Sequence, residues 1–123
     1  MTPEEFVAAL RKVVLLTTVN STLSVLERPP GRAPGRELIE LSSWYKGLVP
    51  EERAMLQRVA TMVARQAVFG VLAVLDGVRP VESTPEKGNF RLVFQKGGRE
   101  WALNPPDGVA LHDLLNQVMA SSD

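Results

Sequence analysis

Residues 50–77, PEERAMLQRVATMVARQAVFGVLAVLDG, constrain the fold of this chain more than any other segment. Proline suits the first position of a helix and acids suit its positive end, so Pro50, Glu51 and Glu52 read as a helix start. Asp76-Gly77 reads as its end. Arg53, Gln57, Thr61 and Arg65 recur with i, i+4 spacing and mark a polar face along the first half. From Ala67 to Leu75 that face is lost, and every residue is apolar or glycine. A helix that is apolar all round is expected to be buried all round. The segment therefore predicts a helix that starts at the surface and ends inside the protein, its second half forming the axis of the core.

Other elements follow from local signals. Thr2-Pro3-Glu4-Glu5 is a capping-box start, and Phe6, Leu10, Val13, Val14 and Thr17 continue with helical spacing. The run from Thr17 to Ser24 is rich in β-branched and hydroxyl residues, which are mediocre helix formers. One helix over residues 3–27 is expected, with a break near Asn20 as the alternative. The connector RPPGRAPGR, residues 28–36, excludes helix and central strand through its prolines and glycines. Leu38, Leu41 and Tyr45 then mark a second helix ended by Gly47.

After Gly77 the period becomes alternating. Phe90, Leu92 and Phe94 share a face, Gly97-Gly98 signals a tight turn, and Trp101 and Leu103 continue the face on the return. A hairpin over about 89–104 is expected, packed on the helices, with Val78–Glu82 as an optional third strand. Asn104-Pro105-Pro106-Asp107-Gly108 leads into a last helix capped by Asp107, with Leu111, Leu114, Leu115 and Val118 facing inward.

Composition mainly excludes. With 123 residues the chain suits a single domain and needs no disulfide or metal to hold it together. Its 14 basic side chains balance 14 acidic ones, which gives no support for a dedicated nucleic-acid or anionic-membrane binder. With no cysteine, thiolate metal sites and cysteine nucleophiles are excluded, and a reducing compartment fits. The N-terminus lacks the pattern of a signal peptide, and the uncharged run Gln66–Leu75 is shorter than the roughly 20 residues that span a bilayer. A cytoplasmic protein without a membrane segment is expected.

Candidate site residues are few. His112 is the single histidine and there is no cysteine, which argues against a structural zinc site and a multi-histidine hydrolase, and no metal or cofactor is expected. No phosphate loop, dinucleotide fingerprint or nucleophile elbow is present. His112 falls opposite the apolar stripe of its helix, which makes a solvated or rim histidine the expected reading. Asp76 follows an apolar run and must find partners if that helix end is buried, with Arg79 or the amides of the following turn as candidates. A polar cleft could gather Asp76, Arg79, Asn104 and His112. Trp44 and Tyr45 diverge on their helix, so one ring belongs to the core while the other lies near the surface. With Arg28, Arg32 and Arg36 they form a candidate protein interface; Arg36 also has the spacing to pair with Glu40.

Three segments, AVFGVLAVLDGVRPVE (67–82), KGGREWALN (96–104) and LHDLLN (111–116), together with ERPPGR (27–32), resemble a group of small uncharacterised bacterial proteins. These have a long helix ending in FG-x-L-x-VLDGVR, a hairpin and an LHDL-type helix. The resemblance implies a bacterial, cytoplasmic protein and brings no activity with it.

The fold expected is α+β: about four helices around a long central one, with a small antiparallel hairpin or three-stranded sheet on one side. The function expected is a non-catalytic interaction module, of regulatory or toxin-immunity type, with a protein partner and possible self-association as a homodimer. The alternative is a small-molecule binder or minor enzyme near Asp76 and His112. A third reading, nucleic-acid binding through Arg28, Arg32 and Arg36, has no interleaved aromatics to support it.

Overall fold

The computed structural model describes residues 1–121. Four helices and one hairpin occur among them: α1 (Pro3–Glu27), α2 (Arg36–Lys46), α3 (Pro50–Leu75), β1 (Val93–Lys96), β2 (Arg99–Ala102) and α4 (Leu111–Ala120). This is the expected α+β arrangement with its long helix and hairpin. The chain divides into two compact units, one made of Met1–Lys12 with Gln66–Asp123 and the other of Val13–Arg65. Helices α1 and α3 each contribute to both.

Helix α1 starts with a reciprocal capping box: Thr2 Oγ1 accepts the Glu5 N–H at 3.1 Å and Glu5 Oε2 accepts the Thr2 N–H at 3.2 Å. It does not break near Asn20. Thr22 Oγ1 donates to the Thr18 carbonyl at 2.8 Å, which gives a hydroxyl of this polar run a partner inside the helix. Its irregularity lies earlier, in a π-type segment over Arg11–Leu16. The wide turn takes in one extra residue and rotates the face. The buried positions are therefore Val7, Leu15, Val19 and Leu26, while Val13, Val14 and Thr17 of the expected stripe are exposed.

In the first unit, the Pro3–Leu10 part of α1 packs on α4, whose Leu111, Leu114, Leu115 and Met119 are buried with Val7, Leu72, Ala73 and Leu103. The hairpin pairs Val93 with Ala102 and Lys96 with Arg99 across Gly97 and Gly98, both at positive φ as a tight hairpin turn requires. Phe94 and Trp101 are cross-strand partners with ring centroids 5.7 Å apart. Residues 89–92 form no regular strand, and Val78–Glu82 is exposed and has no strand partner, so the sheet has two strands. The end of α3 is closed by Gly77 at φ +80, with its N–H bonded to the Val74 carbonyl and the Val78 N–H to that of Ala73.

In the second unit, the Thr17–Glu27 part of α1 packs on α2. Buried Ser42 joins them by donating to the Leu26 carbonyl at 2.6 Å. Helix α3 starts at Pro50, and Glu52 accepts the Val49 N–H at 3.0 Å.

Two expectations for α3 are reversed. Arg53 is only partly exposed: its guanidinium donates to the carbonyls of Lys46 and Leu48, pairs with Glu27 at 3.3 Å and lies 5.0 Å from the centroid of the Tyr45 ring. The apolar second half is not buried all round either. Gly70, Leu72 and Ala73 are buried, but Ala67 is exposed and Val71 is 62% exposed.

Candidate functional site

Two places in the molecule carry the residues singled out above. The first is a polar junction in the unit that holds α4. Asp76, at the C-terminal end of α3, is turned toward the start of α4. Its Oδ1 accepts the Leu111 N–H at 3.1 Å, and its Oδ2 accepts the His112 N–H at 2.9 Å. The His112 ring adds a third contact, Nδ1 to Oδ2 at 2.6 Å. The first amides of any helix lack partners within it, and a carboxylate there also meets the positive end of the helix dipole. The local cap residue is Ala110, which has no side chain to offer, and Asp107 does not cap. Asp76 thus caps α4 from across the fold, in place of the expected Asp107.

His112 is held rather than solvated. Its side chain is 16% exposed, and its ring packs edge-on against Phe69 at 5.3 Å. The remaining nitrogen, Nε2, lies 3.5 Å from Asp113 Oδ1.

Asn104 closes the other side of the junction. Its Oδ1 accepts the Leu92 N–H at 2.8 Å, and its Nδ2 donates to the carbonyls of Leu75 and Phe90, both at 2.9 Å. It continues the hairpin ladder beyond the Leu103 N–H to Leu92 carbonyl bond and ties it to the end of α3.

Arg79 does not join this group. Its Nη1 lies over Gly70, only 2.6 Å from where a Cβ would stand. Asp76 and Asn104 line a cleft of about 370 Å³, whereas Arg79 lines another of about 300 Å³ with Pro80, Glu82 and Lys87. The expected four-residue cleft is therefore a three-residue junction and a separate arginine. An aspartate–histidine pair can activate a nucleophile through the distal nitrogen. Here the group beside Nε2 is the Asp113 carboxylate at 3.5 Å, and Asp76 also accepts from two amides. The arrangement binds two elements together.

The second place is an apolar face on the other unit. Trp44 is 54% exposed, while Tyr45 is 7% exposed and belongs to the core, so Tyr45 leaves the candidate interface. Trp44, Leu48, Glu51, Glu52, Met55, Leu56 and Val59 line a shallow, open depression on this face. Met55 is 58% exposed, and Val59, Met62 and Val63 are each about half exposed on the same side of α3. Sequence reasoning missed Met55, Val59 and Met62; their i, i+4, i+7 spacing was legible but overshadowed by the polar repeat beside it. Arg28 and Arg32 are exposed in the connector, and Arg36 pairs with Glu40 at 3.1 Å.

Helices α1 and α3 have the length and mean hydropathy, 1.3 and 1.5, of a membrane span, with 17% of each apolar window buried. In α3, Arg53, Arg58 and Arg65 interrupt the apolar run. Among the described residues no cluster of three metal-ligating side chains occurs.

The chain matches no protein-family model, no curated protein and no solved structure at a significant level.

Proposed function

We propose that this is a cytoplasmic, non-catalytic protein-interaction module, of the regulatory or immunity type, that docks a protein partner on the face around Trp44. The observation that carries this reading is the exposure of Trp44 and Met55 at a shallow, mainly apolar depression that Glu51 and Glu52 also line. Large contiguous apolar patches with a polar rim are uncommon on monomers and mark binding surfaces. Aromatic and methionine side chains are the residue types enriched in such surfaces, and a half-exposed tryptophan is a favoured anchor. Arg28 and Arg32 are exposed in the connector of the same unit.

The test is association measured with the native chain and with Trp44→Ala and Met55→Gln. A stoichiometric protein partner, whether a different chain or this one, is retained by the native chain and weakened at least tenfold by either substitution. Unchanged association in both variants would place the docking surface elsewhere.

The rival reading, a ligand site at Asp76 and His112, has their 2.6 Å contact and the adjacent cleft in its favour. It requires a small molecule that binds the native chain and is lost in His112→Gln while the fold persists.

A further inference from the structure

We propose that residues 76–89 form a binding loop for a small organic carboxylate, a monoanion with an apolar body. Arg79 takes the carboxylate, and Val74, Val81 and Phe90 take the body. The site lies in the unit that holds α4 and does not depend on the docking reading above.

The first argument is the loop. Between the end of α3 and the hairpin, residues 76–92 contain no helix or strand. Loops of this length inside a domain are uncommon and are usually functional or disordered. This one is built. Asn104 closes its neck, because Nδ2 donates to the carbonyls of both Leu75 and Phe90 at 2.9 Å. Its tip is tied by its own groups. Glu82 Oε2 accepts the Gly88 N–H at 2.6 Å, and Lys87 Nζ donates to the carbonyls of Glu82 and Thr84. Thr84 Oγ1 donates to the Glu86 carbonyl at 2.9 Å. Close ends and internal bonding are the marks of an Ω-loop, a kind of loop that is frequently functional.

The second argument is the cleft. A space of about 300 Å³ opens between the loop and Val74 of α3. That volume is at the small end of ligand clefts, which run from roughly 300 to 1,000 Å³. Its walls are mainly apolar, from Val74, Pro80, Val81 and Phe90, with a few polar groups among them, as in small-molecule sites. Val81 and Phe90 are 63% and 49% exposed, so each has apolar surface left to cover.

The third argument is charge. Of the charged groups that line the cleft, Glu82 and Lys87 are engaged in holding the loop. Arg79 is not. Its main-chain N–H is fixed to the Ala73 carbonyl at 3.2 Å, and its Nη1 lies over Gly70, 2.6 Å from where a Cβ would stand. Among the described residues its guanidinium has no hydrogen bond or ion pair. A free guanidinium presents a planar fork of donors that matches a carboxylate in two parallel bonds. A multiply charged phosphate fits less well. The Gly88 amide is already taken, and the Glu82 carboxylate in the same cleft repels a second negative charge. The apolar walls require carbon on the ligand, which leaves an organic monocarboxylate.

The isotope-labelled native chain is titrated with benzoate, phenylacetate and isovalerate, and its amide resonances are followed. Benzamide and inorganic phosphate are titrated alongside. At least one carboxylate is expected to shift amides within residues 77–90 saturably, with a Kd of about 1 mM or below. Benzamide keeps the body without the charge, and phosphate keeps the charge without the body; each should bind about tenfold more weakly. Arg79→Gln should weaken the carboxylate about tenfold with its circular dichroism unchanged, and Phe90→Ala should weaken it several-fold. Lys96→Gln removes the same charge at the hairpin turn, outside the cleft, and should bind as the native chain does. Absence of a saturable shift with all three carboxylates would overturn the site. Phosphate bound as tightly would overturn the organic body. Benzamide bound as tightly, or unchanged binding by Arg79→Gln, would overturn the part given to Arg79.

Discussion

Around Asp76 the side chains that link α3, the hairpin and α4 are polar, and each is bonded inside the protein. Around Trp44 the conspicuous side chains are apolar, and about half the surface of each is exposed. Asp76 accepts from two amides and one ring, and Asn104 makes three bonds, while Trp44, Met55, Val59 and Met62 face outward. The usual guide, that polar groups mark function and apolar groups mark core, is inverted between the two regions. Buried polar groups that are fully bonded hold a fold together, and exposed apolar groups attract partners. On the reading proposed above, the junction serves stability and the face serves association, and each can be tested separately.

The largest effect on stability is expected from Asp76→Ala. It leaves the Leu111 and His112 amides and the His112 ring without their acceptor at a site where the Asp76 side chain is 6% exposed. Loss of a helix cap and stranding of partly buried donors together cost about 3 kcal/mol. Urea unfolding followed by circular dichroism measures it. A loss below about 1 kcal/mol would mean that the start of α4 finds water or another cap, and the junction would lose its structural assignment.

Asn104→Ala is next, at about 2 kcal/mol, because the Leu92 amide and the carbonyls of Leu75 and Phe90 lose their shared partner. Asn104→Asp should be at least as costly, since a carboxylate would face two carbonyl oxygens it cannot donate to. If Asn104→Asp were harmless, those two carbonyls would not depend on the amide.

At the apolar face the expectation reverses. Met55→Gln and Met62→Gln should each change unfolding stability by no more than about 0.5 kcal/mol, as substitutions at exposed positions do, while association falls. A loss of about 2 kcal/mol in the isolated chain would show these methionines to be core residues and erase the contrast.

The sequence was informative wherever the chemistry is local. Thr2 and Glu5, Pro50 and Glu52, Gly77, and Gly97-Gly98 all act within a few residues of one another, and each leaves its signature in spacing. Direction was not legible. A π-type turn at Arg11–Leu16 shifts the buried face of α1 by one position, and no residue type announces it. Arg53 belonged to an evident polar repeat, yet nearby carbonyls and the Tyr45 ring draw it inward. Asp76 could be read as a buried carboxylate needing a partner, but the partner is 35 and 36 residues away in the chain, and it displaces the local candidates Arg79 and Asp107. Periodicity registers neighbours on one element, whereas a cap supplied from another depends on tertiary packing.

Arg79 supplies the smallest and most discriminating test, because it decides where the junction ends. Gly70 is buried in α3, and a Cβ there would stand 2.6 Å from Arg79 Nη1, the far end of a flexible side chain that lines a separate cleft. If Arg79 is no part of the junction, the guanidinium swings aside at little cost. Alanine is then favoured over glycine within the helix by about 1 kcal/mol, and the displaced contact offsets part of it, so Gly70→Ala should stabilise the protein by about 0.5 kcal/mol. If Arg79 is pinned, the same methyl drives against a fixed group and the sign reverses. Arg79→Ala in the Gly70→Ala background separates the cases: an additive pair leaves Arg79 outside the junction, whereas a coupling above about 1 kcal/mol makes it a fourth member that the hydrogen-bond geometry does not reveal.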